Sequence, residues 1–223
     1  MRQQGKAALA ARDVADDLAT DVDEGAGPVR GERGLGWGLA GGGLVGLLAA
    51  AVLLIERIKL AEDSAYVPTC SINPVLSCGS VMDTPQAALL GFPNPIIGVA
   101  AFPVVLATGM VLLAGGRLAR WYWLGLQAGV TAALALVAWL AFQSIYRIGA
   151  LCPYCMVVWA VVIPLFWYVT LRNASAGVLG RKAAGSRALA VARDWHALLL
   201  LVPFLLLLAL IGERFWSYWS TLL

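Results

Sequence analysis

The chain has 223 residues, 61% of them hydrophobic and only 13% charged, with a mean hydropathy of +0.80. A soluble domain carries about 25% charged residues, so the composition excludes an ordinary aqueous globular protein and points to lipid as the solvent. The net charge of +3 is small, and no Lys/Arg stripe alternates with aromatics, which argues against a nucleic-acid partner.

Residues 1–33 are polar, rich in Asp, Ala and Gly, and show no periodic apolar face. They read as a disordered cytoplasmic tail. They do not read as a signal peptide, because the apolar stretch behind them begins too late, runs too long and lacks a small-residue cleavage pattern. A spanning helix needs about 20 apolar residues, and Gly36–Ile55 supplies the first. Gly34, Gly36, Gly38, Gly41, Gly42 and Gly43 resemble a nucleotide loop superficially. No strand precedes them, so they read as small residues allowing close helix packing. Glu56, Arg57, Lys59, Glu62 and Asp63 read as a solvated connection.

The apolar stretch Thr84–Gly116 is too long for one helix, and Pro93 and Pro95 divide it. The expectation is a short interfacial helix from Thr84, then a span over Pro95–Ala114. Trp121–Tyr146 is the third span and Ile148–Leu171 the fourth. A basic cytoplasmic linker covers 172–194. Trp195–Gly212 is the fifth span, and residues 195–223 hold it with an external C-terminus. Trp121, Trp123, Trp195, Trp216, Tyr218 and Trp219 cluster at span ends as an aromatic belt does. The expected fold class is an all-α integral membrane protein.

Lys and Arg set the orientation. With the N-terminus in the cytoplasm, only Arg57, Lys59, Arg147 and Arg214 of the 16 basic residues fall outside. The expectation is a multi-pass protein of the bacterial cytoplasmic (inner) membrane. Cys70, Cys78, Cys152 and Cys155 then lie on the external, periplasmic side, where disulfides persist.

Cys152-Pro-Tyr-Cys155 is a CxxC at a helix start, with Pro153 suited to the first helical position. A helix N-terminus favours the Cys152 thiolate, the attacking species in thiol exchange. Cys155 lies about 4.5 Å deeper at ~1.5 Å per residue, so one cysteine meets water and the other the membrane. Four cysteines also fit a zinc site, but seven residues separate Cys70 from Cys78, where zinc pairs have about two to four. No metal is expected. The reading from another class is a non-catalytic membrane scaffold with structural disulfides, which would resist exchange with a thioredoxin-like protein.

On these residues the chain resembles the vitamin K epoxide reductase family in its bacterial branch. The matching motifs are Cys70-Ser-Ile-Asn-Pro-Val-Leu-Ser-Cys78, Thr84 six residues further on, Asn94-Pro-Ile-Ile-Gly98 and Cys152-Pro-Tyr-Cys155. The resemblance implies a four-helix bundle over 34–171 around a quinone, capped by an external loop with a short helix, with a fifth span added. It implies that Cys70 and Cys78 shuttle electrons, Cys70 meeting the partner and Cys78 exchanging with Cys152. Cys155 then reduces the quinone, menaquinone or ubiquinone. Thr84 and Asn94 are implied near the quinone, although Asn94 beside Pro95 also reads as a turn or cap. Many bacterial members carry a fused thioredoxin-like domain. None is present in this chain, so a separate exported thioredoxin-like (DsbA-like) protein is the expected partner.

Trp159 stands where vertebrate members have tyrosine, four residues after the last cysteine. Indole donates a hydrogen bond but cannot accept one as a phenol does. Quinone reduction, rather than epoxide reduction, is therefore the expectation carried over, with Trp159 lining the quinone pocket. The unrelated four-helix disulfide-generating quinone reductases carry their CxxC in the first external loop, the reverse of the order here.

Overall fold

The structure is a computed structural model that describes residues 32–63, 65–180 and 184–221. Apart from Glu32 and Arg33, the expected tail over 1–33 lies outside the described residues. The order is α1 (Glu32–Glu62), α2 (Cys78–Met82), a 3₁₀ turn (Pro85–Ala88), α3 (Pro95–Leu113), α4 (Arg120–Phe142), a π turn (Gln143–Ile148), α5 (Pro153–Ser175), α6 (Arg187–Asp194), α7 (His196–Arg214) and α8 (Trp216–Trp219). Among the described residues, five helices are long and apolar enough to cross a membrane: α1, α3, α4 with its π turn, α5 and α7. No strand occurs among the described residues. The fold is that of an all-α membrane protein.

Local chemistry explains most of the boundaries. Pro95 and Pro153 each occupy the first turn of their helix, where a missing N–H costs nothing. The expected start of the fourth span at Ile148 is corrected to Pro153. The π turn ends at Gly149 with φ +72°, a left-handed conformation that glycine reaches without a Cβ penalty. The chain leaves the helix there and runs extended to Cys152 before α5 begins. The short helix expected from Thr84 is present as one 3₁₀ turn over Pro85–Ala88, and α2 is a further short helix before it. Ser77 caps α2 by accepting from Ser80 N–H at 3.3 Å, and Thr84 sits just before the 3₁₀ turn. Helix α6 falls within the stretch read as a linker.

Lipid offers no hydrophobic drive between spanning helices, so close van der Waals packing by small residues must hold them together. Helix α1 packs most closely on α3, and also on α5, which in turn packs on α4. A Cβ on Gly43 would lie 2.6 Å from Leu106 N, and one on Gly109 would meet the backbone of Ala40 and Gly36. Gly34, Gly38 and Gly41 meet nothing within 4 Å, so only part of the glycine cluster serves packing.

At the end of the bundle away from the cysteines, fully buried Asn173 donates to Trp123 O at 3.2 Å and Gln127 Oε1 at 3.1 Å. Gln127 donates to Thr170 Oγ1 at 2.9 Å, and the Arg172 guanidinium lies 3.7 Å from the Trp123 ring centre. A buried amide is costly unless partnered, and these contacts partner it while joining α4 to α5. Helix α7 has no buried residue of its own. It meets the core through half-buried Leu207, Leu210 and Ile211.

Candidate active site

The segment before Cys78 and the segment before Cys152 meet through their backbones. Leu151 N–H donates to Val75 O at 2.7 Å, and Ser77 N–H donates to Leu151 O at 2.9 Å. These two bonds form a parallel bridge between Leu76 and Leu151. The loop side of the bridge is shaped by Asn73, whose Oδ1 accepts from Val75 N–H at 3.0 Å and Leu76 N–H at 2.7 Å. That local Asx turn delivers Cys78 into the first turn of α2.

All four cysteines come together here. Cys70 and Cys78 form a disulfide with Cα atoms 5.6 Å apart. Cys152 and Cys155 are free thiols. The Cys78 and Cys152 sulfurs are 3.1 Å apart, and both residues are buried. Leu53 and Met82 complete the apolar shell around Cys70, Cys78 and Cys152. The three sulfurs lie within 4.8 Å of one another, but two of them are joined to each other and so do not offer thiolates to a metal.

Cys152 is the N-cap of α5, and its sulfur accepts from Cys155 N–H at 3.4 Å. Its pKa is held below the ordinary thiol value, first by a hydrogen bond from the Cys155 thiol and further by the backbone N–H groups of Cys155 and Tyr154, against the opposing effect of burial. A thiolate at Cys152 beside the Cys70–Cys78 bond is the arrangement thiol–disulfide exchange requires.

Behind the CxxC lies a cavity of about 500 Å³. Its walls are apolar and come from α3, α4 and α5, with Phe102, Leu126, Val130, Trp159 and Val162 among them, and both Cys152 and Cys155 open onto it. Thr84, Asn94 and Trp159 all line this cavity, but the two polar residues are differently engaged. Thr84 Oγ1 donates to Val81 O at 2.7 Å. Asn94 donates to Gln86 O at 2.8 Å and accepts from Leu89 N–H at 3.1 Å. Its side chain does not cap α3; it ties together the loop that lines the cavity through Gln86 and Ala87. Trp159 is buried.

Sequence reasoning missed two features. Ser144, buried on the π turn, adds a hydroxyl to the cavity wall. Glu56 was expected in solvent and is instead buried. It accepts from Tyr66 Oη at 3.0 Å, Thr69 N–H at 3.1 Å and Thr69 Oγ1 at 3.0 Å. A signal was present: Leu53, Glu56 and Leu60 share one helix face by their i, i+3 and i+7 spacing, and the two leucines pack on the cysteine cluster.

A search of curated proteins returns no match. A family model described as the vitamin K epoxide reductase family matches residues 37–170, a stretch that takes in the first four spans and every cysteine. More than half of the chain is matched and its cysteines stand at exchange distance inside a membrane-type helix bundle, so the chain belongs to the vitamin K epoxide reductase family and is a membrane thiol–disulfide oxidoreductase.

Proposed function

We propose that the chain carries electrons from the thiols of an exported thioredoxin-like (DsbA-like) protein to a membrane quinone, and so supports disulfide formation in exported proteins. The observation that carries this reading is the Cys78–Cys152 sulfur separation of 3.1 Å directly above an apolar cavity onto which Cys155 opens. The loop disulfide stands on one side of Cys152 and space for a lipid-soluble acceptor on the other.

In this reading the partner's thiolate attacks Cys70. The Cys70–Cys78 bond breaks, and the partner's second thiol resolves the mixed disulfide, leaving a loop dithiol. Cys78 then attacks an oxidised Cys152–Cys155 pair at Cys152. Cys70 closes back onto Cys78, and the electrons rest on Cys152 and Cys155. The structure has this last distribution, with the loop oxidised and the CxxC reduced. Cys70 is only 5% exposed, so a partner reaches it once the Cys70 arm of the loop has lifted.

The cavity suits a quinone head group. It lies within the ~300–1,000 Å³ of small-molecule pockets, with apolar walls and few polar groups. Trp159, Val162 and Leu126 would flank the ring, and Ser144, Thr84 and Tyr122 are the hydroxyl-bearing residues on the lining. The chemistry a quinone supplies there is acceptance of two electrons and two protons, which converts the Cys152–Cys155 dithiol to a disulfide. The asymmetry of Lys and Arg supports a cytoplasmic N-terminus and an external cysteine end in a bacterial cytoplasmic membrane. The testing experiment is quinone reduction by the purified protein, with a reduced thioredoxin-like donor and a soluble menaquinone or ubiquinone analogue. Donor oxidation without quinol formation would overturn the acceptor assignment. Absence of donor oxidation would overturn the partner.

A further inference from the structure

The redox loop is held from below by a charged residue that the exchange chemistry does not use. Helix α1 continues beyond Ile55, and its last turns present Leu53, Glu56 and Leu60 to the loop. The chain leaves α1 at Glu62 and turns back through Asp63, whose Oδ1 accepts from Ala65 N–H at 2.8 Å and whose carbonyl accepts from Tyr66 N–H at 3.0 Å. That reversal brings Tyr66 and Thr69 over Glu56. The carboxylate then takes three hydrogen bonds from the two residues, and Thr69 is the neighbour of Cys70. One residue further along α1, Arg57 lies 3.7 Å from Asp83, which ends α2. One turn of α1 therefore grips both arms of the disulfide loop. Asp83 is exposed and Arg57 only half-buried, so water screens this pair and it contributes little. Glu56 is buried, and hydrogen bonds to a charged acceptor in such a place are the strong ones.

We propose that Glu56 is a positioning residue for internal disulfide exchange, holding the Cys70 arm down so that the Cys70–Cys78 bond stays beside Cys152. This rests on the reading that Cys78 exchanges with Cys152. In that step the Cys152 thiolate attacks Cys78 Sγ, a Cys78–Cys152 bond forms, the Cys70–Cys78 bond breaks, and the electron pair leaves on Cys70 as a thiolate. The reverse step requires Cys70 to return to Cys78. In both directions the Cys70 sulfur must stay close, and Glu56 is the group that holds its arm to the helix. The same grip covers Cys70 against external thiols. Releasing it should therefore change two rates in opposite directions.

The experiment compares Glu56→Ala with Glu56→Gln in full-length protein carrying Cys155→Ser, in one detergent. One readout is the rate at which a soluble phosphine reduces the loop disulfide. The other is the rate at which Cys78–Cys152 and free Cys70 interconvert with the loop disulfide after a pH jump, read by quenched alkylation and mass spectrometry. Glu56→Ala should speed external reduction and slow internal exchange, each by about tenfold, as expected for loss of a charge-assisted hydrogen bond. Glu56→Gln should restore both, because its carbonyl oxygen can accept from Tyr66 and Thr69 N–H while its amide donates to the Thr69 hydroxyl. Should Glu56→Ala fail to fold, the loop-side pair Tyr66→Phe with Thr69→Val removes two of the same bonds and should shift both rates in the same senses. Unchanged rates, both rates moving together, or Glu56→Gln behaving as Glu56→Ala would overturn the proposal. If no Cys78–Cys152 bond forms even with Glu56 intact, the exchange reading fails with it. If that bond forms equally fast with and without Glu56, the positioning role alone fails.

Discussion

Leu151 donates its backbone N–H to Val75 O at 2.7 Å, one residue before Cys152 and three before Cys78. The meeting of the two cysteine pairs is thus built into the main chain, and the side chains of the bridge residues are secondary to it. Two segments more than 70 residues apart are set in register by the bridge, and the sulfur-to-sulfur approach follows from it.

The Cys70→Ser, Cys155→Ser double variant should form a Cys78–Cys152 disulfide under mild oxidation. The two remaining sulfurs already stand 3.1 Å apart, and neither has another partner to exchange with. Peptide mapping under non-reducing conditions reads the bond. Dimers linked through Cys78, with no internal bond, would show that the two sulfurs do not meet in solution.

The Cys152 thiol should titrate below the ordinary thiol value, because the Cys155 thiol and backbone N–H groups stabilise its thiolate. Cys155→Ala removes the largest of these contributions, so the step should move up in pH. A depressed thiol pKa adds stability above the unfolded value, and that stability is lost as the pH falls through the folded value. Thermal stability should therefore decline on acidification through this step, and less so in Cys155→Ala. Ultraviolet thiolate absorbance against pH measures the step, and an unmoved midpoint in the variant would refute the hydrogen bond's role.

Gly129 lines the cavity, and a Cβ there meets nothing within 4 Å. Gly129→Phe should place a ring in the space proposed for the quinone while improving helix propensity. Quinone reduction should fall by at least about tenfold, the factor that corresponds to roughly 1.4 kcal/mol, with Cys78–Cys152 exchange intact. Full quinone turnover in this variant would place the acceptor elsewhere.

Packing makes a contrasting demand on α1. Gly43→Ala drives a methyl group to within 2.6 Å of Leu106 N and should cost about 1–3 kcal/mol, as over-packing does. Gly38→Ala, in open space, should be neutral or slightly stabilising. Thermal denaturation of both variants in one detergent decides it, and equal melting temperatures would mean that the α1–α3 contact is looser than described.

Asn94→Ala should open the loop over the cavity by removing two hydrogen bonds worth about 0.5–1.5 kcal/mol each. Asn94→Asp keeps the acceptor for Leu89 N–H but cannot donate to Gln86 O, so it should fall between Ala and the native residue. Limited proteolysis across residues 84–94 gives the ordering, and an Asp variant as resistant as the native protein would remove the Gln86 contact from the account.

Features carried by local chemistry were legible in the sequence. Runs of apolar residues gave five spans, Pro95 and Pro153 marked helix starts, and the cysteine spacings with Asn94 and Thr84 pointed to one redox site. What was not legible depends on the chain returning to itself. A bridge of two backbone bonds at Leu76 and Leu151 leaves no alternating pattern to read. Glu56 looked solvated because its neighbours Arg57, Lys59, Glu62 and Asp63 are charged, and its partners Tyr66 and Thr69 face it only after the turn at Asp63. Asn94 was read toward a ligand or a cap, yet both its amide atoms bind loop backbone. Half of the glycine cluster points into open space, since composition does not tell which side of α1 meets α3.

The length of α1 carries a consequence of its own. The helix is one uninterrupted rod from its glycine face on α3 to the Glu56 grip on the loop. One inserted residue between Ala50 and Leu53 would turn everything beyond it by about 100° and raise it by ~1.5 Å. The carboxylate would then face away from Thr69 while the lower half of the helix stayed in place. Helix α1 is thus sensitive to phase as well as to composition: it should accept many substitutions on its exposed faces but no change of length.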